Sequence, residues 1–489
     1  MSNLKDILTL GELKRSGYIP KPIKDEMRDN LVHALKNKIN IFEGIHGFDD
    51  TVIPDLQRAI LSRHHILLLG LRGQAKTRLA RLLVRLLDEF IPIVAGSEIN
   101  DNPFAPLSPF GREEVRTMGD QTTIDWVHRD QRYVEKLATP DVSIADLIGD
   151  VDPIKAASLK LPYADERVIH YGLIPRANRS IFVINELPDL QPRIQVSLFN
   201  ILQEGDLQIR GFKVRLPLDV LFLFTANPED YTNRGSIITP LKDRIDSQIL
   251  THYPTDIGTA MTITAQEARV KPEQKNIFVP PILKVLLEQI SFEARTSELV
   301  DTNSGVSARL GISAYENLIS AVERRMLINN EKSGTARLSD FVGVMPAITG
   351  KVELVYEGEQ IGPYKVAFEL LNKAIKSEFL KNFPHPEKQK KNERDPFGVI
   401  KAWFAGEHTL KLAVDATQEE YEQSLNQVSG LERLVKTLPI PDSDKPVYKE
   451  LVLHGLSAFN LLNKELHQTR FDFSDPLADF KAKEEDLDD

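Results

Sequence analysis

Lys76 and Thr77 close a loop that opens at Gly70 and turns again at Gly73. In loops of the form G-x-x-x-x-G-K-[ST], backbone N–H groups point at phosphate oxygens. The lysine reaches the β/γ-phosphates and the hydroxyl ligates Mg²⁺. Gly70, Arg72, Gly73, Gln74, Ala75, Lys76, Thr77 and Arg78 are therefore the candidate nucleotide-binding residues, with Thr77 also a metal ligand. Ala75 stands where the pattern has its second glycine, and a methyl is accommodated there if the backbone φ is negative. The loop needs a strand before it and a helix after it. Ile66–Leu69 is an apolar run suited to a strand buried on both faces, and 78–87 has helical periodicity, so the phosphates would sit at a helix N-terminus. This context weighs against a chance Gly/Lys/Thr turn.

Four further groups could act on a phosphate. The apolar run Ile181–Ile184 ends in Asn185-Glu186, where a Walker B strand has Asp-Glu. Asn185 is the second candidate metal ligand, and Glu186 is placed to polarise the water that attacks the γ-phosphate. Val220–Phe224 ends in Thr225-Ala226-Asn227-Pro228, and the Asn227 amide at a neighbouring strand end could orient that water. Asn-Pro alone is an ordinary turn signal, so its weight comes from its position. Arg244, in Pro240-Leu241-Lys242-Asp243-Arg244, could stabilise transition-state charge on a neighbouring subunit's phosphate, or be a solvated helix-end residue. Arg309, in Gly305-Val306-Ser307-Ala308-Arg309, could reach the γ-phosphate from a second domain.

The elements that must hold these groups follow from pattern and composition. A chain of 489 residues makes two or three domains. Its 42% hydrophobic and 27% charged content is that of a globular protein, not a disordered one. Strands alternating with helices up to about residue 254 indicate a parallel sheet with helices on both faces, preceded by a mostly polar helical segment at 1–45. A helix is expected from Val52 through Ile60, and 205–216 alternates about Gly211 as a hairpin does. Residues 97–135 are rich in Asn, Pro, Asp and Gly and read as a mostly irregular insertion. From 255 the pattern is helical, with amphipathic stretches at 281–295, 306–328 and 363–380. A charged, proline-bounded linker at 384–396 leads to a small module at 397–470. The tail 471–489, with eight acidic and two basic residues, is expected to be disordered.

Other function classes are disfavoured. Cysteine is absent, which removes disulfides, thiolate metal sites and cysteine nucleophiles. A net charge of −10 is the wrong sign for coating nucleic acid, and Trp126 and Trp403 are too isolated for a stacking platform. The Lys388–Lys391 cluster reads as solvated linker, and His64-His65 lacks companion zinc ligands. No apolar run approaches the ~20 residues of a membrane span, and the polar N-terminus is no signal peptide, so a cytoplasmic location is expected.

Taken in order, the phosphate loop, Ile-Asn-Glu-Leu-Pro-Asp-Leu at 184–190, Ile-Leu-Gln-Glu-Gly-Asp at 201–206, Thr-Ala-Asn-Pro-Glu at 225–229, Leu-Lys-Asp-Arg at 241–244 and Ser-Ala-Arg at 307–309 resemble the AAA+ ATPases. The likeness is to the branch of MoxR proteins and the magnesium-chelatase ATPase subunit, and it covers roughly 40–345. It implies an α/β nucleotide-binding domain over 46–254 with an insertion at about 150–171, then an all-α lid domain at 255–383, whereas the insertion at about 97–135 and the C-terminal helical module after 384 lie outside the shared core. It further implies ATP and Mg²⁺ as cofactors, Asn227 as sensor 1, Arg244 as arginine finger and Arg309 as sensor 2. Such proteins form hexameric rings that remodel a protein client, often beside a partner with a von Willebrand A-type domain. Asn185 in place of aspartate makes slow hydrolysis the expectation. A chelatase motor subunit and a nucleotide-gated scaffold with little hydrolysis are the alternatives. A sigma-54 activator is disfavoured because its Gly-Ala-Phe-Thr-Gly-Ala loop is absent.

Overall fold

A computed structural model describes residues 6–163, 165–204, 206–209, 215–228, 236–388, 395–467 and 469–476. In it, five short strands line up in parallel: β1 (Ile66–Leu69), β2 (Tyr133–Leu137), β3 (Ser180–Asn185), β4 (Val220–Ala226) and β5 (Ser247–Leu250). Their spatial order is β5-β1-β4-β3-β2. Leu69 pairs with both Ala226 and Leu250, Phe224 pairs with Ile184, and Leu137 pairs with Asn185. All five strands therefore end along one edge, where ligands bind in open α/β sheets.

Side-chain alternation assigns the strands to two cores. Ile66, Leu68, Ile181, Val183, Leu221 and Leu223 face one side. There they meet three helices: α1 (Ile23–Lys36), α2 (Val52–Leu61) and α3 (Lys76–Leu82). Ile23, Met27 and Leu31 present one helical face at i, i+4 and i+8. Leu67, Leu69, Phe182, Ile184, Phe222 and Phe224 face the other side with Leu187, Ile194, Leu198 and Ile201. Each of these large side chains contributes ~1.5–3 kcal/mol by leaving water, so a sheet covered on both faces is strongly favoured for strands this apolar. The expected helix at 78–87 begins at Lys76, ends as an α-helix at Leu82 and tightens to a 3₁₀ turn over Leu83–Leu86.

Helix α1 is tied to the sheet by charge as well as by packing. Arg132 and Glu26 form a bidentate pair at 2.7 and 2.7 Å, both buried, and Arg132 Nε donates to the carbonyl of Arg179. The Asp219 carboxylate accepts the first N–H of α1, from Ile23 at 2.8 Å. Burial pushes the Asp219 carboxyl up to about 6, against the pull of the Ile23 N–H and of Arg179. Its folded pKa lies above its unfolded value, so its contribution to stability is complete below the unfolded pKa and is lost as pH rises through about 6. Asp219→Asn keeps an acceptor for Ile23 without the charge. Its stability relative to wild type should be near zero at pH 4 and rise by up to ~2–3 kcal/mol by pH 8, read from urea midpoints.

The segment at 97–135 is more ordered than its composition suggested. Phe90–Val94 pairs antiparallel with Ile124–His128, a helix spans Pro109–Met118, and Tyr133 already opens β2. Asp101 organises the turn between them by accepting the N–H groups of Leu107 and Ser108. The segment at 150–171 is a short hairpin, Gly149–Val151 against Ile169–Tyr171, that carries the helix Pro153–Leu159. Asp206–Gln208 pairs antiparallel with Arg215–Pro217, and the turn joining them lies outside the described residues.

The chain divides into two compact units, Met1–His252 and Tyr253–Asp489. The second is led by α4 (Pro281–Thr296), α5 (Arg309–Asn329), α6 (Pro363–Asn382) and α7 (Lys445–Ala458). A single apolar cluster runs from Val279 to Phe473, so elements on either side of the charged 384–396 segment share one core. Phe379 packs on Phe397 and Phe459, with centroids 5.6 and 5.9 Å away, and on Gly455, where a Cβ would come within 2.1 Å of its ring. Buried Glu450 of α7 accepts the N–H groups of Leu338 and Ser339 and the Tyr421 hydroxyl. The C-terminal module is not only helical. Leu410–Ala413, Arg470–Ser474 and Asn463–His467 form an antiparallel sheet in that order. The tail expected to be disordered therefore starts inside a strand, and residues 477–489 lie outside the described residues. No described helix is long and apolar enough to cross a membrane.

Candidate functional site

The loop after β1 is shaped by contacts that leave no room for a side chain at its first residue. Gly70 donates its N–H to Ala226, and a Cβ on it would fall 2.0 Å from Thr251 Oγ1 and 2.2 Å from Gln74 Oε1. Those two groups hydrogen-bond to each other at 2.7 Å, so Gln74 braces the loop against the end of β5. Gly73 has φ 73°, a left-handed conformation that suits glycine. Ala75 has φ 56° and ψ 16°, not the negative φ anticipated for it. Its carbonyl accepts from Leu79 and so starts α3 while its own backbone remains left-handed. For a residue with a Cβ this costs ~1–2 kcal/mol. Ala75→Gly should therefore raise stability by about 1 kcal/mol in thermal melts, without weakening any nucleotide the loop binds.

Lys76 is buried, and its ammonium turns into the loop. It donates to the carbonyls of Gly70 and Leu71 and to Asn227 Oδ1, at 2.7 Å for the last. The loop thus holds a buried ammonium beside the start of a helix, the pairing of positive charge and backbone N–H donors that a phosphate needs. Asn227 Nδ2 donates to Glu186 Oε2 at 2.9 Å. Lys76, Asn227 and Glu186, from three different elements, are therefore linked in one hydrogen-bonded chain at the strand ends. Glu186 itself sits in the left-handed region at φ 55°, ψ 52°, and its N–H donates to Thr225 Oγ1 at 3.2 Å. Strain of this kind in a non-glycine residue persists where surrounding contacts fix it.

Asn185 extends the chain in the other direction. Its Oδ1 accepts from the Thr225 hydroxyl at 3.0 Å, and its Nδ2 donates to Glu135 Oε1 on β2. Glu135 Oε2 also accepts from Arg81 Nη2 at 3.0 Å, which holds the Arg81 guanidinium well protonated. Burial, then Glu135, raises the Tyr133 phenol beside it. The oxygens of Thr77, Asn185 and Glu135 are the hard donors that Mg²⁺ takes alongside substrate phosphates. Thr77 and Arg78 are half-buried in the first turn of α3, and Arg72 is exposed in the loop.

Two of the candidate residues lie on other elements. Arg244 lies with its guanidinium 4.9 Å over the Phe199 ring, bonded to Gln203 Oε1 at 3.2 Å and the Pro240 carbonyl at 2.7 Å. Arg309 is the exposed first residue of α5, in the second unit. His65 is a structural residue. Burial, then Lys24, pushes it down to about 3, and its Nδ1 accepts the Phe222 N–H. Thr225, Thr251 and Glu135 were not singled out from the sequence. Thr225 was visible in the Thr-Ala-Asn-Pro stretch, whereas Thr251 and Glu135 carry no local signal.

No protein-family profile matches the chain. It is 24% identical over 209 residues, 42% of its length, to the magnesium-chelatase 38 kDa subunit of Cereibacter sphaeroides. It spans about half the length of the relatives it matches, 56% and 51%. Among solved structures it is similar to a cryo-EM-based complex of the magnesium-chelatase subunits BchI and BchD. The identity is 19%, the TM-score 0.34, and the match covers 65% of this chain and 98% of that one. A Cytophaga hutchinsonii protein described as a putative ATPase is 17% identical with a TM-score of 0.29, covering 74% and 98%.

Proposed function

We propose that this chain is an AAA+ ATPase of the branch of MoxR proteins and magnesium-chelatase ATPase subunits, a reading its likeness to the chelatase 38 kDa subunit supports, and that it is a ring-forming ATP hydrolase that remodels or activates a partner protein. The observation that carries the reading is the Lys76–Asn227–Glu186 chain at the ends of β1, β4 and β3. Lys76 binds the β/γ-phosphates in place of the loop carbonyls. Asn227 orients the attacking water, and Glu186 takes its proton. Bound Mg²⁺ supplies a Lewis acid that offsets charge developing on the phosphate oxygens. Arg244 serves the neighbouring subunit's nucleotide, and Arg309 answers the γ-phosphate from the lid.

The likeness to a chelatase subunit favours, as a second reading, the motor of a metal chelatase. Steady-state phosphate release tests the hydrolase. Wild type should turn over ATP, and Glu186→Gln should bind it with turnover lowered at least ~100-fold. Glu186→Gln loaded with ATP should also retain its partner in affinity capture. Recovery of a chelatase subunit would favour the second reading. Binding without turnover in wild type would leave a nucleotide-gated scaffold.

A further inference from the structure

The amide of Asn185 and the carboxylate of Glu135 form one unit. On the sheet they are neighbours across β2 and β3, where Glu135 pairs with Val183 and Leu137 with Asn185. A carboxylate only accepts hydrogen bonds, so the –NH₂ of Asn185 must face Glu135 and its carbonyl oxygen must face the Thr225 hydroxyl. Glu135 thus fixes which way the amide points. Thr225 passes the constraint on by accepting the N–H of Glu186. The second oxygen of Glu135 is bound by Arg81, which belongs to α3, the helix that starts at Lys76 and Thr77. Glu135 is therefore joined both to the phosphate-loop helix and to the strand end that precedes the water-activating carboxylate.

An aspartate at 185 would place two carboxylates at hydrogen-bond distance, where one of them would be forced to take up a proton. Position 185 is suited to an amide for as long as position 135 holds a carboxylate. Together they carry one negative charge, as an aspartate at 185 with an amide at 135 would. We propose that the negative charge serving the nucleotide-bound divalent cation at this strand end has moved one strand over, to Glu135, and that Asn185 is the positioning residue coupling it to the site. This rests on the nucleotide reading of the loop, and it makes the amide at 185 a transposed site, not a degraded one.

The test is nucleotide affinity of the full chain, measured with a fluorescent ATP analogue in Mg²⁺ and again in excess EDTA. Mn²⁺ binding to the nucleotide complex, followed by paramagnetic resonance, gives a second readout that is independent of turnover. Glu135→Gln should weaken binding in Mg²⁺ about tenfold and leave binding in EDTA unchanged. Asn185→Asp alone should bring no gain, and Glu135→Gln with Asn185→Asp should return to within about twofold of wild type. Arg81→Gln separates this from a purely structural ion pair, because it breaks the pair and leaves the charge. It should keep the Mg²⁺-dependent gain. An unchanged gain in Glu135→Gln, a double variant no better than Glu135→Gln, or equal losses in Arg81→Gln and Glu135→Gln would each overturn the proposal. A wild-type chain that binds no nucleotide under either condition would overturn the loop assignment beneath it, which is a distinguishable result.

Discussion

Lys76→Ala is expected to weaken ATP binding by at least a hundredfold, to the limit of calorimetric detection. The Lys76 ammonium is buried and already aimed at the loop interior by three oxygen acceptors. A phosphate entering there meets a desolvated positive charge, and hydrogen bonds between ionised groups are about twice as strong as neutral ones. Loss of ~3 kcal/mol corresponds to roughly a hundredfold in affinity. The variant also strands the carbonyls of Gly70 and Leu71, so a thermal melt must show that it still folds. Folded Lys76→Ala protein with wild-type affinity would refute the phosphate-loop assignment.

The second large effect is expected at Arg244, in a different observable. Arg244→Ala should bind ATP as wild type does and hydrolyse it ~10³–10⁵-fold more slowly, the range set by arginine fingers that are fully engaged. Within its own subunit Arg244 is held by the Phe199 ring, Gln203 and the Pro240 carbonyl, so its loss leaves the Lys76 loop untouched. Arg244→Lys should rescue little, because a point charge does not replace the planar fork. Mixing Arg244→Ala with Glu186→Gln should restore some turnover, since mixed rings contain interfaces where both intact groups meet. A chain that remains monomeric with ATP at every concentration tested would end the case for action in trans.

The sequence made legible what is contiguous. The phosphate loop, Asn185-Glu186 and Asn227 each sit at the end of an apolar run, so strand, turn and chemistry are written side by side. Glu135 was hidden because its strand follows a stretch dense in Asn, Pro and Gly, and because its partners Asn185 and Arg81 are 50 and 54 residues away. The left-handed backbone at Ala75 and Glu186 was hidden for another reason: neither residue type announces a positive φ. In the second unit the helices were read from their amphipathic period. The three-stranded sheet was missed because Leu410-Lys411-Leu412 and Phe471-Asp472-Phe473 alternate over too few residues to stand out.

The packing around Phe379 carries a mechanical consequence. A lid built as a separate domain could swing while whatever follows it trails on a tether. Here α6 and α7 interlock through Phe379 and Gly455, and Glu450 ties α7 to the N–H groups of Leu338 and Ser339. One core therefore joins α5, which Arg309 opens, to the three-stranded sheet. Severing the chain near residue 388 would cut through that core, so the shortened protein should melt without the second unit's transition.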